Sequence, residues 1–157
     1  MDRIKTEIRE AVIDDLPILK SFEQGIIQFE RPFASNIKKD PVTYYDLKKL
    51  ILGKDAQVLV AIIDKEIVGS GYAQIQNSKP YFEPEQYAYL GFMFVSPQHR
   101  GKGINGKITE KLIEWAKSKN LSEIQLDVYA ANESATKAYK KLGIKPDLLK
   151  MRLNTTE

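Results

Sequence analysis

FVSPQHRGKGINGKITEKL (residues 94–112) decides how this chain reads. It ends a β-rich run, turns at Ser96-Pro97, and passes through Gly101 and Gly103 into a helix whose apolar stripe is Ile104, Ile108, Leu112 and Trp115. The first four N–H groups of such a helix have no intrahelical acceptor, and the helix dipole adds partial positive charge there. Gly101 and Gly103 remove the Cβ atoms that would hold an anion away, and Arg100, Lys102 and Lys107 add formal charge. That combination suits a phosphate or pyrophosphate. The plain alternative is a glycine-tolerant turn with exposed lysines.

Two familiar phosphate patterns do not fit. Gly101-x-Gly103-x-x-Gly106 matches the dinucleotide fingerprint, and Asp127, 21 residues beyond Gly106, even stands where a ribose-binding acid would. That fingerprint begins almost directly after its strand, whereas Ser96 to Arg100 intervene here, and only 30 residues remain after Asp127 for the further β-α units it needs. The phosphate loop GxxxxGK[ST] is excluded because no Gly-Lys-Ser/Thr occurs.

Outward from this stretch, QYAYLGFMFV (86–95) predicts a central strand covered on both faces. Before it, AQVLVAII (56–63) and EIVGSGYAQIQ (66–76), separated by Asp64-Lys65, predict a hairpin. Residues 4–11 predict a first strand. Asp14-Asp15-Leu16-Pro17 opens a helix with the stripe Leu16, Leu19, Phe22 and Ile26, and FERPFASNIKKD (29–40) is a loop. Asp40-Pro41 predicts the start of a second helix carrying Tyr44, Leu47 and Ile51, stopped by Gly53. Downstream, 103–119 is a helix, 123–130 an alternating strand, 132–142 a helix closed by Gly143, and LLKMRL (148–153) a final strand. The expectation is an α/β fold of the α+β type. One mixed, mostly antiparallel twisted sheet of six to seven strands is flanked by four helices, parallel only across the 103–119 helix.

Composition narrows the chemistry. A length of 157 residues predicts a single domain over 1–157. The absence of cysteine excludes a thiolate zinc site and a cysteine nucleophile, and the lone His99 excludes a multi-histidine metal site. The net charge of +3, from 24 basic and 21 acidic residues, is too mild for a nucleic-acid binder, although six basic side chains between Gln98 and Asn120 face only Glu110 and Glu114. No run approaches a membrane span and MDRIKTEIRE lacks a signal-peptide core, so the reading is cytoplasmic with neither nucleic-acid nor membrane partners.

The segment Gln98-His99-Arg100-Gly101-Lys102-Gly103 resembles motif A, Q/R-x-x-G-x-G/A, of the GNAT superfamily of N-acetyltransferases, and Asn132 to Ile144 resembles a second motif of that family. The order of elements is similar along essentially the whole chain. Asn105, where glycine or alanine is commoner, and Ile144, in place of an aromatic, depart from the pattern. The resemblance implies the acyl-CoA N-acyltransferase fold and direct acetyl transfer from acetyl-CoA, without a metal, to a primary amine of a small molecule or protein. It also implies that backbone amides of Arg100, Gly101, Lys102, Gly103, Ile104 and Asn105 hold the CoA pyrophosphate. Phe94 and Val95 would bond the pantetheine arm, Asn132 would meet it, and Tyr139 would protonate the departing thiolate.

On its own terms, Tyr139 stands two helical turns from Asn132, and a phenol of pKa about 10 suits a thiolate leaving group of pKa about 8–9. It equally continues a packing stripe with Ala135, Ala138 and Leu142. His99 holds a variable motif position and is expected to be a solvated loop residue. Glu30 is a candidate base, or a surface acid pairing with Arg31; Tyr89 is another candidate, and the strand 86–95 carries no carboxylate, which favours a water relay. The loops 29–40 and 77–86, with Phe29, Phe33, Tyr81, Phe82, Glu83 and Glu85, would suit a cationic acceptor with an apolar part. A non-catalytic acyl-CoA-binding module is the alternative. The apolar C-terminal strand is suited to pairing across a homodimer.

Overall fold

The computed structural model describes residues 5–156. Its first strand, β1 (Glu7–Glu10), runs against β2 (Ala56–Ile63); the predicted start at Ile4 lies outside the described residues. A short 3-10 turn then leads into α1 (Leu16–Glu30), with Pro17 in the first turn where its missing N–H costs nothing. Asp15 organises this entry: its carboxylate takes two hydrogen bonds from Arg9, at 2.8 and 3.1 Å, and one from the Val12 amide at 2.8 Å.

The second helix, α2 (Leu47–Leu52), begins later than expected, capped by the Asp46 side chain on the Lys49 amide rather than opened by Asp40-Pro41. The cause is Glu23 on α1. One of its carboxylate oxygens accepts the amides of both Tyr44 and Tyr45, at 2.9 and 2.8 Å, so those N–H groups are satisfied without a helix.

β2 and β3 (Glu66–Asn77) form the predicted hairpin, with Asp64 and Lys65 at φ 50° and 65°, the left-handed pair a tight hairpin turn requires. β3 pairs antiparallel with β4 (Gln86–Val95), and β4 pairs in parallel with β5 (Ile124–Leu126) across α3 (Ile104–Ser118). The order is β1-β2-β3-β4-β5. Alternation sorts the side chains onto two faces. Val58, Val60, Tyr72 and Phe92 meet Leu19, Phe22 and Ile26 of α1 and Leu47 and Leu50 of α2, while Leu59, Ala61, Val68 and Leu90 meet Ile104, Ile108 and Leu112 of α3. Burial on both faces explains the nearly continuous apolar runs.

The described residues cluster into two compact units, one ending at Asp127 and the other beginning at Val128. The second contains α4 (Glu133–Lys141), capped at its start by Asn132. Among the described residues the sheet has five strands, not six or seven. LLKMRL (148–153) forms no strand: Leu148, Met151 and Leu153 are more than 80% exposed, and no ladder satisfies their backbone groups. β5 is also shorter than the alternating 123–130 predicted, because its ladder to β4 stops at Leu126. No described helix is long and apolar enough to cross a membrane.

Candidate active site

The site is set by the point at which β4 and β5 part. Their ladder covers Ala88 to Leu90 against Ile124 to Leu126, and Gly91 to Val95 have no β5 partner. A β-bulge causes the parting. Ser70 opposes Phe94 and Tyr72 opposes Gly91, so β4 carries one extra residue between them. Phe92 is that residue, at φ 58°, and both Gly91 and Phe92 consequently face α1 and α2. A left-handed phenylalanine is strained. Burial of its ring to 1% exposure and a hydrogen bond from the Ser70 hydroxyl to its carbonyl, at 3.0 Å, hold it there.

Phe94 and Val95 lie on this open stretch, still paired with Ser70 and Gly69 of β3. The Phe94 ring stacks on Phe22 of α1 with centroids 4.5 Å apart. The chain then turns through Pro97–His99 and reaches the glycine loop. Gly101 and Gly103 have φ of 78° and 77°, with open space where a Cβ would lie, so backbone conformation rather than crowding demands glycine. Gly103 is the N-cap of α3 and no side chain caps the helix, which leaves its first amides available to an anion. Ile104 contributes only main chain, because its side chain is buried in the core. Lys102 is exposed and Asn105 half-buried. Arg100 is tethered twice: Nε donates to the Val95 carbonyl at 3.1 Å, and its guanidinium lies 5.7 Å from the Phe29 ring centroid. The end of α1 thus stands beside the loop.

His99 is not the solvated residue expected, since its Nδ1 is buried without a hydrogen-bond partner among the described residues. Glu30, the last residue of α1, does not pair with Arg31, which bonds Asp40 at 2.8 Å instead. Burial raises the Glu30 pKa above the usual carboxylate range, and a hydrogen bond from Tyr44 partly opposes the shift. Burial likewise pushes Tyr45 upward, with Tyr72 and Glu30 adding to it. In the second unit, Asn132 Oδ1 accepts the Ala135 amide at 3.3 Å, so the side chain caps α4 and its amide nitrogen is what it can offer elsewhere. Tyr139 is buried on the same helix.

The two loops expected to wall an acceptor do not come together. Phe29 and Phe33 are neighbours at the end of α1, with centroids 5.8 Å apart. Tyr81 and Phe82 form an exposed pair before the first residue of β4, and Val95 is its last. A ten-residue strand spans roughly 30 Å. Sequence reasoning also missed where the fold places Asp127: the Tyr89 hydroxyl donates to its Oδ2 at 2.9 Å, one residue beyond the last β4–β5 pair. Strand alternation alone would have placed both on one face, but not at the fork.

A model of the acetyltransferase (GNAT) family matches residues 24–144. An uncharacterised N-acetyltransferase of Archaeoglobus fulgidus is 33% identical over 135 residues, which cover 85% of this chain and 88% of the relative. A mouse thialysine N-epsilon-acetyltransferase is 44% identical over 55 residues, only 35% of this chain and 32% of the relative. Among solved structures, a Bacillus halodurans protein, BH1408 (tetramutant), superposes with a TM-score of 0.84 at 23% identity, covering 94% of this chain and 99% of that one. A predicted acetyltransferase with acetyl-CoA from Clostridium acetobutylicum gives 0.72 at 19% identity, covering 97% of each chain. These two likenesses are of fold.

Proposed function

Because this chain belongs to the acetyltransferase (GNAT) family, as an acetyl-CoA-dependent N-acetyltransferase, we propose that it acetylates a primary amine at the fork between β4 and β5. The observation that carries this reading is the open edge of β4, Gly91 to Val95, running toward a helix start with uncapped amides. Gly101 and Gly103, left-handed and with free space at their Cβ positions, fit a diphosphate that must approach the backbone closely. When bound, acetyl-CoA supplies the acetyl group as an activated thioester.

The chain's own groups then divide the work. Amides from Arg100 to Asn105 hold the pyrophosphate, and Lys102 adds charge. Main-chain groups of Phe94 and Val95 bond the pantetheine arm in the way a strand would bond a neighbour. Asn132 offers its side-chain amide to that arm. Tyr139 Oη gives its proton to the departing thiolate sulfur. Glu30 lies on the acceptor side, where α1 ends among aromatic rings. The acceptor is an amine of a small molecule or of a protein.

Calorimetric titration tests the reading. Acetyl-CoA is expected to bind with Kd on the order of micromolar, and S-acetylpantetheine, which lacks the nucleotide and its phosphates, to lose most of that affinity. Absence of acetyl-CoA binding at protein concentrations of about a millimolar would overturn it.

A further inference from the structure

Asp127 is a carboxylate that the fold brings to the fork, one residue beyond the last β4–β5 pair. Ile124 and Leu126 pack toward α3, so the next alternate position, Asp127, faces the other side of the sheet, with Tyr89. The Tyr89 hydroxyl bonds Oδ2 of Asp127 at 2.9 Å, next to the final ladder pair Leu90–Leu126. Tyr89 in turn rests near Tyr72, with centroids 6.5 Å apart, and Tyr72 is held in the α1/α2 core. Burial and the Asp127 charge push the Tyr89 pKa upward, so the phenol stays the donor and the carboxylate the acceptor. The carboxylate is exposed, and one hydrogen bond leaves it a second oxygen. It lies on the face opposite α3, away from the helix that carries the glycine loop. Glu30, on that same face, is already engaged by a hydrogen bond from Tyr44.

We propose that Asp127, braced by Tyr89, receives the acceptor as an alkylammonium ion and takes its proton before attack, an assignment that rests on the acetyl-transfer reading above. The step is a proton transfer only. One N–H bond of the ammonium breaks, an O–H bond forms on Asp127, and the nitrogen keeps the electron pair it needs as nucleophile. Tyr89 is a positioning residue, and the acceptor class is a basic primary amine.

The test compares wild type, Asp127→Asn and Tyr89→Phe on lysine, glycinamide and aminoacetonitrile, amines of decreasing basicity, with acetyl-CoA affinity measured by calorimetry as a check on folding. Asp127→Asn is expected to lower kcat/KM for lysine by about 100-fold, with acetyl-CoA Kd unchanged. The deficit should shrink along the series, because weakly basic amines reach the site already neutral. Tyr89→Phe should show the same trend with a smaller loss. An equal deficit on all three amines, or none, would overturn the assignment while leaving the acetyl-transfer reading intact. A wild-type protein that binds acetyl-CoA yet acetylates none of them would overturn this assignment of a basic primary amine to Asp127, while the acetyl-CoA titration above separately decides the acetyl-transfer reading.

Discussion

Gly25 and Phe94 approach so closely that a Cβ on Gly25 would stand 2.7 Å from Cε2 of the Phe94 ring. The ring cannot retreat freely, because its other contact is the stack with Phe22 at 4.5 Å. A mid-helix glycine ordinarily costs about 1 kcal/mol relative to alanine. Here it lets α1 lie against the open stretch of β4, and Gly25→Ala is expected to lose about 1 kcal/mol net, strain outweighing the helix gain. Because Phe94 would move, acetyl-CoA should bind more weakly as well. Thermal melts with and without acetyl-CoA measure both effects, and a rise in Tm would contradict the account.

Gly103→Ala and Gly106→Ala should separate conformation from space. Neither position has an atom within 4 Å of a built Cβ, but only Gly103 has positive φ, at 77°. The left-handed conformation costs alanine about 1–2 kcal/mol. Gly103→Ala is therefore expected to destabilise the loop and raise the acetyl-CoA Kd about tenfold, whereas Gly106→Ala, inside α3, should stabilise by up to about 1 kcal/mol. Paired melts and titrations decide it.

Tyr139→Phe removes the proposed proton donor and little volume. The expected result is a fall in kcat of about tenfold or more with acetyl-CoA Kd unchanged. Steady-state kinetics read the first and calorimetry the second; unaltered turnover would leave Tyr139 a packing residue.

Glu23 is 3% exposed and holds two backbone amides. Glu23→Ala leaves both N–H groups unsatisfied and is expected to cost about 3 kcal/mol. Hydrogen exchange at Tyr44 and Tyr45 should accelerate first, since the segment before α2 has no helix to protect it. Protection unchanged there would show that the carboxylate is not what holds it.

The Arg9–Asp15 pair predicts a pH dependence. The hydrogen bond from Arg9 comes first in holding the Asp15 pKa below the usual carboxylate value, followed by opposing desolvation and then the Val12 amide. A carboxylate with a depressed folded pKa binds its proton more weakly when folded, so its stabilisation is present above the unfolded pKa and is lost as pH falls through the folded one. Asp15→Asn, which weakens the charge-assisted hydrogen bonds from Arg9, should destabilise by about 1–2 kcal/mol at neutral pH and show a shallower acid transition. Equal losses at pH 7 and at pH 2 would refute the linkage.

Much of this molecule is legible in local pattern. The stripe Leu19, Phe22 and Ile26, the hairpin at Asp64-Lys65, the glycine loop and the stripe of α3 follow from periodicity and turn chemistry, which depend on neighbours along the chain. Residues 148–153 show the limit: alternation is necessary for a strand, but a strand exists only where another backbone meets it. The start of α2 shows a second, because Glu23 satisfies the Tyr44 and Tyr45 amides from 21 and 22 residues away.

By itself, then, the sequence determined that a central β-rich run feeds an anion-ready helix, and that a similar arrangement belongs to acetyl transfer. The tertiary structure alone decided where that run opens. The bulge at Phe92 is invisible in a uniformly apolar stretch, since a register shift is a relation between β3 and β4 rather than a property of either. The same holds for Tyr89 and Asp127, 38 residues apart in sequence, which only the parallel pairing of β4 and β5 brings to one face at the fork.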